Sequence, residues 1–141
     1  MSVPTYPGPK KLSDALSGLR IERAEDARFH REGLRADAEY RDLGLAAATG
    51  GRLGVKHIRA IGRFEQPTGW HWHDMHAHFI YVLKGSITFR FEGVQGEVTL
   101  GAGDSLSQPA GVPHDVIARS DDFEVIELNV PAEYGTFEIH E

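Results

Sequence analysis

The chain has 141 residues, enough for one domain with a hydrophobic core, and its hydrophobic content of 40% is ordinary for a globular protein. Fifteen Lys and Arg residues against twenty-one Asp and Glu leave a net charge of −6. No basic cluster offsets this charge, which argues against nucleic acid and anionic membrane surfaces as partners, and the absence of cysteine excludes disulfides and thiolate catalysis.

The first part of the chain, 1–50, is predicted to be an N-terminal arm, partly helical or irregular. Residues 1–10 are predicted to be a tail that is either disordered or draped over the domain, and Leu12, Leu16 and Leu19 predict a short helix within 11–20. Dense mixed charge over 21–41 indicates a solvated segment, and 43–49 is predicted to form one or two helical turns. The start of the chain lacks the apolar stretch of a signal peptide, so we expect a cytoplasmic protein.

The second part, 51–141, has the pattern of an all-β domain. Short apolar segments alternate with Gly, Pro, Asp and Asn at intervals of about eight to twelve residues, which is typical of a β-sandwich or barrel. The clearest strand has Ile87, Phe89 and Phe91 on one face. Strands are predicted near 54–64, 69–73, 78–84, 86–92, 96–100, 104–108, 114–119, 122–130 and 135–140.

The segment from His78 to Leu83 is apolar on both faces, which indicates a strand covered on both sides. One cover is the barrel interior. The other must be the arm, a partner subunit or both. A polar arm makes a poor complete cover, so we expect a homodimer.

Four of the eight histidines lie between His71 and His78. In a strand, His71 and His73 share one face, while Trp70 and Trp72 share the other. Residues 74–77 are the right length for a hairpin turn, which would bring His78 opposite the pair and leave His76 in the turn. Three converging imidazoles predict a metal site; the alternative is a histidine-rich surface turn.

A fourth histidine, His114, follows a stretch in which Pro109, Gly111 and Pro113 predict a tight turn. By itself it reads as a structural residue at the start of a strand. Together with the earlier cluster, it becomes the fourth candidate ligand.

The two histidine segments resemble the two motifs of the cupin superfamily. In the first motif His71, His73 and Gly85 match, and 17 residues separate Gly85 from the second motif, as in small single-domain cupins. The second motif matches at Gly103, Pro109, Gly111 and His114. The resemblance implies a double-stranded β-helix, or jelly-roll barrel, that holds one metal ion through three histidines and a glutamate.

Two positions depart from that motif. The glutamate position is His78 and a later asparagine position is Ala118, so the ligand set carried over is His71, His73, His78 and His114. Four neutral imidazoles leave a divalent ion with its full charge and make it a stronger Lewis acid. Imidazole suits Zn, Ni and Fe, whereas Mn prefers carboxylate. We therefore expect one divalent transition metal per chain, with Mn the poorest fit.

The resemblance leaves three functions open for a small-molecule ligand. Dioxygenase-like oxidation is slightly favoured over a non-redox Zn or Ni enzyme of the polyketide cyclase, isomerase or lyase type, and over a non-catalytic binding module. A non-redox enzyme needs a general acid or base, for which the candidates are Glu127, Tyr81, His57 and Gln108. Barrel-facing side chains such as Ile80, Phe89 and Phe91 favour a compact, partly apolar ligand.

Overall fold

The computed structural model describes residues 18–31 and 37–139. The predicted tail, most of the predicted helix over 11–20, and His140 lie outside the described residues. Leu19, the last leucine of that helix pattern, is exposed. None of the helices within the described ranges is long and apolar enough to cross a membrane.

The described chain is almost entirely β-structure, as predicted. One 3₁₀ turn spans Ala24–Asp26, and one short helix, α1, spans Leu45–Ala48 within the segment predicted to be helical. The strands are β1 (Ala38–Asp42), β2 (Gly54–Ala60), β3 (His71–His73), β4 (Ala77–Lys84), β5 (Ser86–Phe91), β6 (Val98–Gly101), β7 (Ser105–Pro109), β8 (His114–Arg119), β9 (Glu124–Val130) and β10 (Thr136–Glu138).

The strands form two five-stranded antiparallel sheets that face each other. One sheet has the order β1-β2-β9-β4-β7 and the other has the order β10-β3-β8-β5-β6. Alternate side chains of both sheets point into the space between them, where apolar burial stabilises the fold. The core consists of Ala38, Ile58, Ile80, Val82, Ile87, Phe89, Phe91, Phe123 and Val125.

Strand β1 is missing from the sequence prediction, which treats 21–41 as solvated, and that prediction is wrong for 38–41. Ala38 and Tyr40 alone supply the inward face, and charged residues occupy the positions between them. This edge strand pairs with β2 in register from Ala38 opposite Ala60 to Asp42 opposite Lys56. A strand with so few apolar positions has no local signal that separates it from a charged arm.

The predicted hairpin between β3 and β4 is also wrong. The two strands belong to different sheets, and residues 74–76 cross from one sheet to the other. Strand β3 instead pairs with β10 and β8, and β4 pairs with β7 and β9. His78 therefore faces His71 and His73 across the interior rather than along one sheet.

The outer face of β4 carries the apolar residues that led us to expect a second covering layer. Tyr81 is 43% exposed and Leu83 is 44% exposed. The arm covers a neighbouring part of this sheet, where Phe29 packs edge-on against His57 at 5.2 Å between ring centroids. The homodimer stays a prediction.

Candidate metal centre

Three histidines converge at one end of the interior. His71 and His114 are direct partners across β3 and β8, with ring centroids 4.4 Å apart. The ring of His73 lies 5.0 Å from that of His71 and 5.1 Å from that of His114. One ring nitrogen from each residue lies within 4.8 Å of the other two, so the cluster can hold a metal ion.

The strand period and a tight turn place these side chains. In β3 the two histidines point inward, and Trp72 points outward, where it stacks on Phe137 at 4.5 Å. The turn before β8 contains Gly111 at a φ of +69°, a conformation that favours glycine. Both local features follow the expectations from the sequence.

Hydrogen bonds orient two of the rings unambiguously. His71 Nδ1 donates to the Gly69 carbonyl at 2.8 Å, and His114 Nδ1 donates to the Val112 carbonyl at 2.9 Å. Because a carbonyl only accepts, each Nδ1 carries the proton and each Nε2 keeps its lone pair. His73 Nδ1 lies 2.9 Å from the Thr136 hydroxyl. Such outer partners are what metal-binding histidines need to fix their tautomer.

The cluster also favours neutral imidazoles. Burial, with help from the neighbouring imidazoles, lowers the pKa of His73 to about 3. Burial lowers the pKa of His114 to about 4, against the opposing effect of its hydrogen bond to Val112. Both rings are therefore neutral at physiological pH, which is the form that binds a metal ion.

His78 lies beside the cluster with both ring nitrogens hydrogen-bonded. Its ring centroid is 5.7 Å from that of His73 and 6.4 Å from that of His114. Its Nε2 donates to Glu127 Oε2 at 2.9 Å, and Gln108 Nε2 donates to its Nδ1 at 3.4 Å. His78 is not one of the three residues whose ring nitrogens lie within 4.8 Å of one another.

Glu127 on β9 is a carboxylate held from two sides. His78 binds one of its oxygens, and Asn129 Nδ2 donates to the other, Oε1, at 3.2 Å. Burial alone would raise the pKa of Glu127. The hydrogen bond and electrostatic interaction with His78, the charge of Lys56 and the hydrogen bond from Asn129 outweigh burial and keep that pKa below its ordinary value. The group is therefore an ionised carboxylate at the edge of the histidine cluster.

The histidines open onto a cavity of about 280 Å³ between the sheets. Its walls are mainly aliphatic and aromatic. Polar residues of the lining include the four histidines, with Glu127 bonded to His78, and the pair of Asp37 and Arg119. The apolar lining includes Ile58, Ile80, Ile87, Phe89, Val116 and Val125.

The four predicted acid–base candidates divide between the two faces of one sheet. Glu127 lines the cavity and Gln108 is buried against His78. His57 lies on the outer face, where its Nε2 is 2.9 Å from Glu124 Oε1, and Tyr81 is exposed on the same face. His76 is exposed outside the cluster.

The sequence patterns do not single out three residues of the site: Asn129, Tyr134 and Thr136. Tyr134 lies edge-on to His73, with ring centroids 5.3 Å apart. Burial and the carboxylate of Glu127 raise the pKa of its phenol, so it stays a neutral hydroxyl. Strand alternation predicts that Asn129 points inward, because it lies two residues from Glu127 on β9. No local sequence pattern predicts that Tyr134 and Thr136 lie at the site, because the pairing of β10 with β3 brings them there.

The fold and the histidine cluster together indicate the family of proteins to which the chain belongs. Residues 62–131 match the family model described as the cupin domain, and the two-sheet barrel is that of cupin-fold proteins. The chain belongs to the cupin superfamily, as the motifs predicted. A comparison with curated protein sequences gives no match.

Several solved structures are similar to the chain. The polyketide cyclase RemF from Streptomyces resistomycificus is 19% identical with a TM-score of 0.67, and the match covers 87% of each chain. KdgF from Halomonas sp. is 19% identical with a TM-score of 0.64, covering 81% of this chain and 96% of that one. A sugar phosphate isomerase from Silicibacter pomeroyi is 17% identical with a TM-score of 0.65, covering 84% and 81%. At these identities the likeness shows the fold alone.

Proposed function

We propose that this cupin is a metal-dependent enzyme that acts on a small, largely apolar organic molecule by non-redox proton transfer. The observation that carries the proposal is the cluster of His71, His73 and His114 at the end of an apolar cavity that also contains the Glu127 carboxylate. A metal-binding group and a carboxylate on the same cavity can act on one substrate.

The metal ligands in this proposal are His71, His73 and His114, with His78 as the fourth. The first three present converging ring nitrogens, and the neutral form of His73 and His114 suits a transition metal. His78 stands where the cupin motif has its glutamate, and within the described ranges its ring is the next nearest imidazole to the cluster. An all-imidazole set favours Zn, Ni or Fe over Mn. When bound, such an ion supplies a Lewis acid that polarises an oxygen of the substrate.

Glu127 has the position of a general base. Its two oxygens accept hydrogen bonds from His78 and Asn129, so its orientation is set by groups outside the substrate space. A carboxylate held in this way can take a proton from the carbon next to a polarised carbonyl and return it elsewhere on the substrate. Cyclisation, isomerisation and elimination all use this transfer.

The cavity walls bind the rest of the substrate and exclude water. Aliphatic and aromatic side chains such as Ile80, Ile87 and Phe89 surround the space next to the histidines. A cavity of about 280 Å³ accommodates a compact molecule, and its apolar lining favours an aromatic or aliphatic body. Exclusion of water also strengthens the electrostatic interactions of Glu127.

Dioxygenase-like oxidation, which the sequence analysis favours slightly, is the second candidate. One observation favours oxidation: three imidazoles converge, while both ring nitrogens of His78 are hydrogen-bonded, to Glu127 and Gln108. A three-histidine centre leaves more coordination positions open than a four-histidine centre. The carboxylate of Glu127 inside the cavity favours the proton-transfer reaction instead.

The test combines metal analysis with two assays. Protein purified without a nickel affinity column should contain close to one equivalent of Zn, Ni or Fe per chain. A panel of β-diketones and hydroxylated aromatic ketones should then undergo cyclisation, isomerisation or hydrogen exchange at carbon without oxygen consumption. Oxygen consumption with an iron-loaded protein would favour the second candidate, and redox-inert zinc at full occupancy would exclude it. Protein that binds no transition metal would overturn the proposal.

A further inference from the structure

Tyr134 lies in the connection between β9 and β10 and lines the cavity beside the histidine cluster. Its ring meets that of His73 edge-on, with an interplanar angle of 83°. On another side, Lys56 Nζ lies 5.7 Å from the ring centroid. The ring is therefore held by its neighbours independently of its hydroxyl group.

The hydroxyl of Tyr134 has no hydrogen-bond partner among residues 18–31 and 37–139. Its oxygen is not one of the buried side-chain atoms that lack a partner within the described ranges, so the tip of the phenol is open to water, and an oxygen of a ligand can replace that water. Here the tip belongs to a side chain that lines the ligand space. The partner that fits is an oxygen atom of a bound molecule.

The charges around the cavity limit what this molecule can be. Within the described part of the chain, Arg119 is the one Arg or Lys that lines the cavity. Its guanidinium donates to the backbone carbonyl of Asp37 at 2.7 Å and to that of Ser120 at 3.0 Å, and it also pairs with the Asp37 carboxylate. Glu127 and Glu138 add negative charge to the lining. Lys56 Nζ lies beside the Tyr134 ring, but its charge acts on the Glu127 carboxylate, so both of these cations face carboxylates. A doubly charged phosphate ester would therefore meet negative charge beside each cation, and the lining suits an uncharged or singly charged oxygen compound.

We propose that Tyr134 is a substrate-binding residue that donates a hydrogen bond to an oxygen of an uncharged or singly charged organic ligand held beside His73. The position of that ligand next to the histidines rests on the proposed function. The hydrogen bond itself belongs to the Tyr134 side chain and can be measured with or without metal.

The experiment is a titration with 4-nitrocatechol, whose visible absorption changes on binding. It compares wild type, Tyr134→Phe and Tyr81→Phe, each both metal-free and zinc-loaded. Tyr134→Phe keeps the ring that packs on His73 and loses only the hydroxyl. Its affinity for 4-nitrocatechol should fall by about 3- to 15-fold, the effect of one hydrogen bond, with its zinc content unchanged. Tyr81→Phe removes a hydroxyl from the outer face and should match wild type.

Three results would overturn the proposal. One is equal affinity of Tyr134→Phe and wild type for 4-nitrocatechol. Another is loss of zinc from Tyr134→Phe, which would make the hydroxyl a support of the histidines. The third is effective competition by phenyl phosphate, which would contradict the charge argument. If wild type binds no metal, the proposed function fails, while the metal-free titrations of the same three proteins still decide the role of Tyr134.

Discussion

His71 on β3 lies directly opposite His114 on β8, and their ring centroids are 4.4 Å apart. The two residues are far apart in the chain, and the pairing of their strands fixes the separation of their side chains. Each ring is oriented by a backbone carbonyl, of Gly69 and Val112 respectively. The backbone thus presents two imidazoles to one point with little freedom to move apart.

Removal of one member of this pair should abolish tight metal binding. We expect His114→Ala to lower zinc affinity by on the order of 100-fold or more, because three converging nitrogens become two. Competitive titration against a chromophoric chelator measures the change. His57→Ala is the matched control, since His57 is also a strand histidine with a hydrogen-bonded ring but lies on the outer face. Wild-type affinity in His114→Ala would contradict the assigned centre.

His78→Glu tests the fourth ligand. If His78 binds the metal, the variant should still bind one equivalent but shift its preference towards Mn, because a carboxylate replaces an imidazole. Metal content after growth with mixed metal salts measures this preference. The new carboxylate would also lie next to Glu127, so the variant without metal should be less stable than wild type. An unchanged metal preference would count against His78 as a ligand.

Glu127→Gln tests the general base. We expect the variant to retain metal and to lose roughly 10²- to 10⁴-fold in kcat, since an amide cannot accept the proton. Steady-state kinetics on a substrate found in the panel measures the loss. Glu124→Gln is the control, because Glu124 makes the equivalent bond to His57 on the opposite face of the same sheet. Full activity of Glu127→Gln would assign proton transfer to another group.

The stability of the metal-free protein should depend on pH through the buried histidines. His114 has a pKa of about 4 in the folded chain, against an ordinary value of 6.5. Between these values the unfolded chain binds more protons, so the free energy of unfolding falls as the pH drops below 6.5 and is unaffected by this group above it. The slope is at most about 1.4 kcal/mol per pH unit for each histidine, and smaller for the less buried His73.

Urea unfolding of metal-free protein at pH 7 and pH 5 measures this dependence. The double variant His73→Ala/His114→Ala should lose less stability over that interval than wild type, because it lacks the two groups that resist protonation when folded. A steeper dependence in the double variant would contradict the sign of the shift.

Gly85, the last glycine of the first motif, should not tolerate a side chain. It has a φ of +73°, and an added Cβ would collide with Ser120 Oγ and lie 3.0 Å from Phe123 Cα. Gly93 has a φ of +83° with open space around it, so Gly93→Ala should cost only about 1–2 kcal/mol of backbone strain. Gly85→Ala should cost about 3–5 kcal/mol because the steric conflict adds to the strain. Equal unfolding midpoints for the two variants would refute the steric argument.

Much of the barrel was predictable because its signals are local. Alternation at Ile87, Phe89 and Phe91 identified an inward face, and turn residues separated the strands. The inward direction of His71 and His73 follows from the same period of two. Strand β1 was missed because Ala38 and Tyr40 are its only inward-facing residues and its charged positions look like a solvated arm.

The sequence by itself determined which histidines share a strand face, where the turn before His114 falls, and to which superfamily the chain belongs. Only the tertiary structure decided how these pieces meet. The connection over 74–76 is as compatible with a hairpin as with a crossing between sheets, and the pairing of β3 with β8 and β10 selects the crossing. The pairing of β10 with β3 brings Tyr134 to His73, and the pairing of β4 with β9 brings Glu127 to His78. Such contacts depend on hydrogen bonds between strands distant in the chain, and residue spacing carries no information about them.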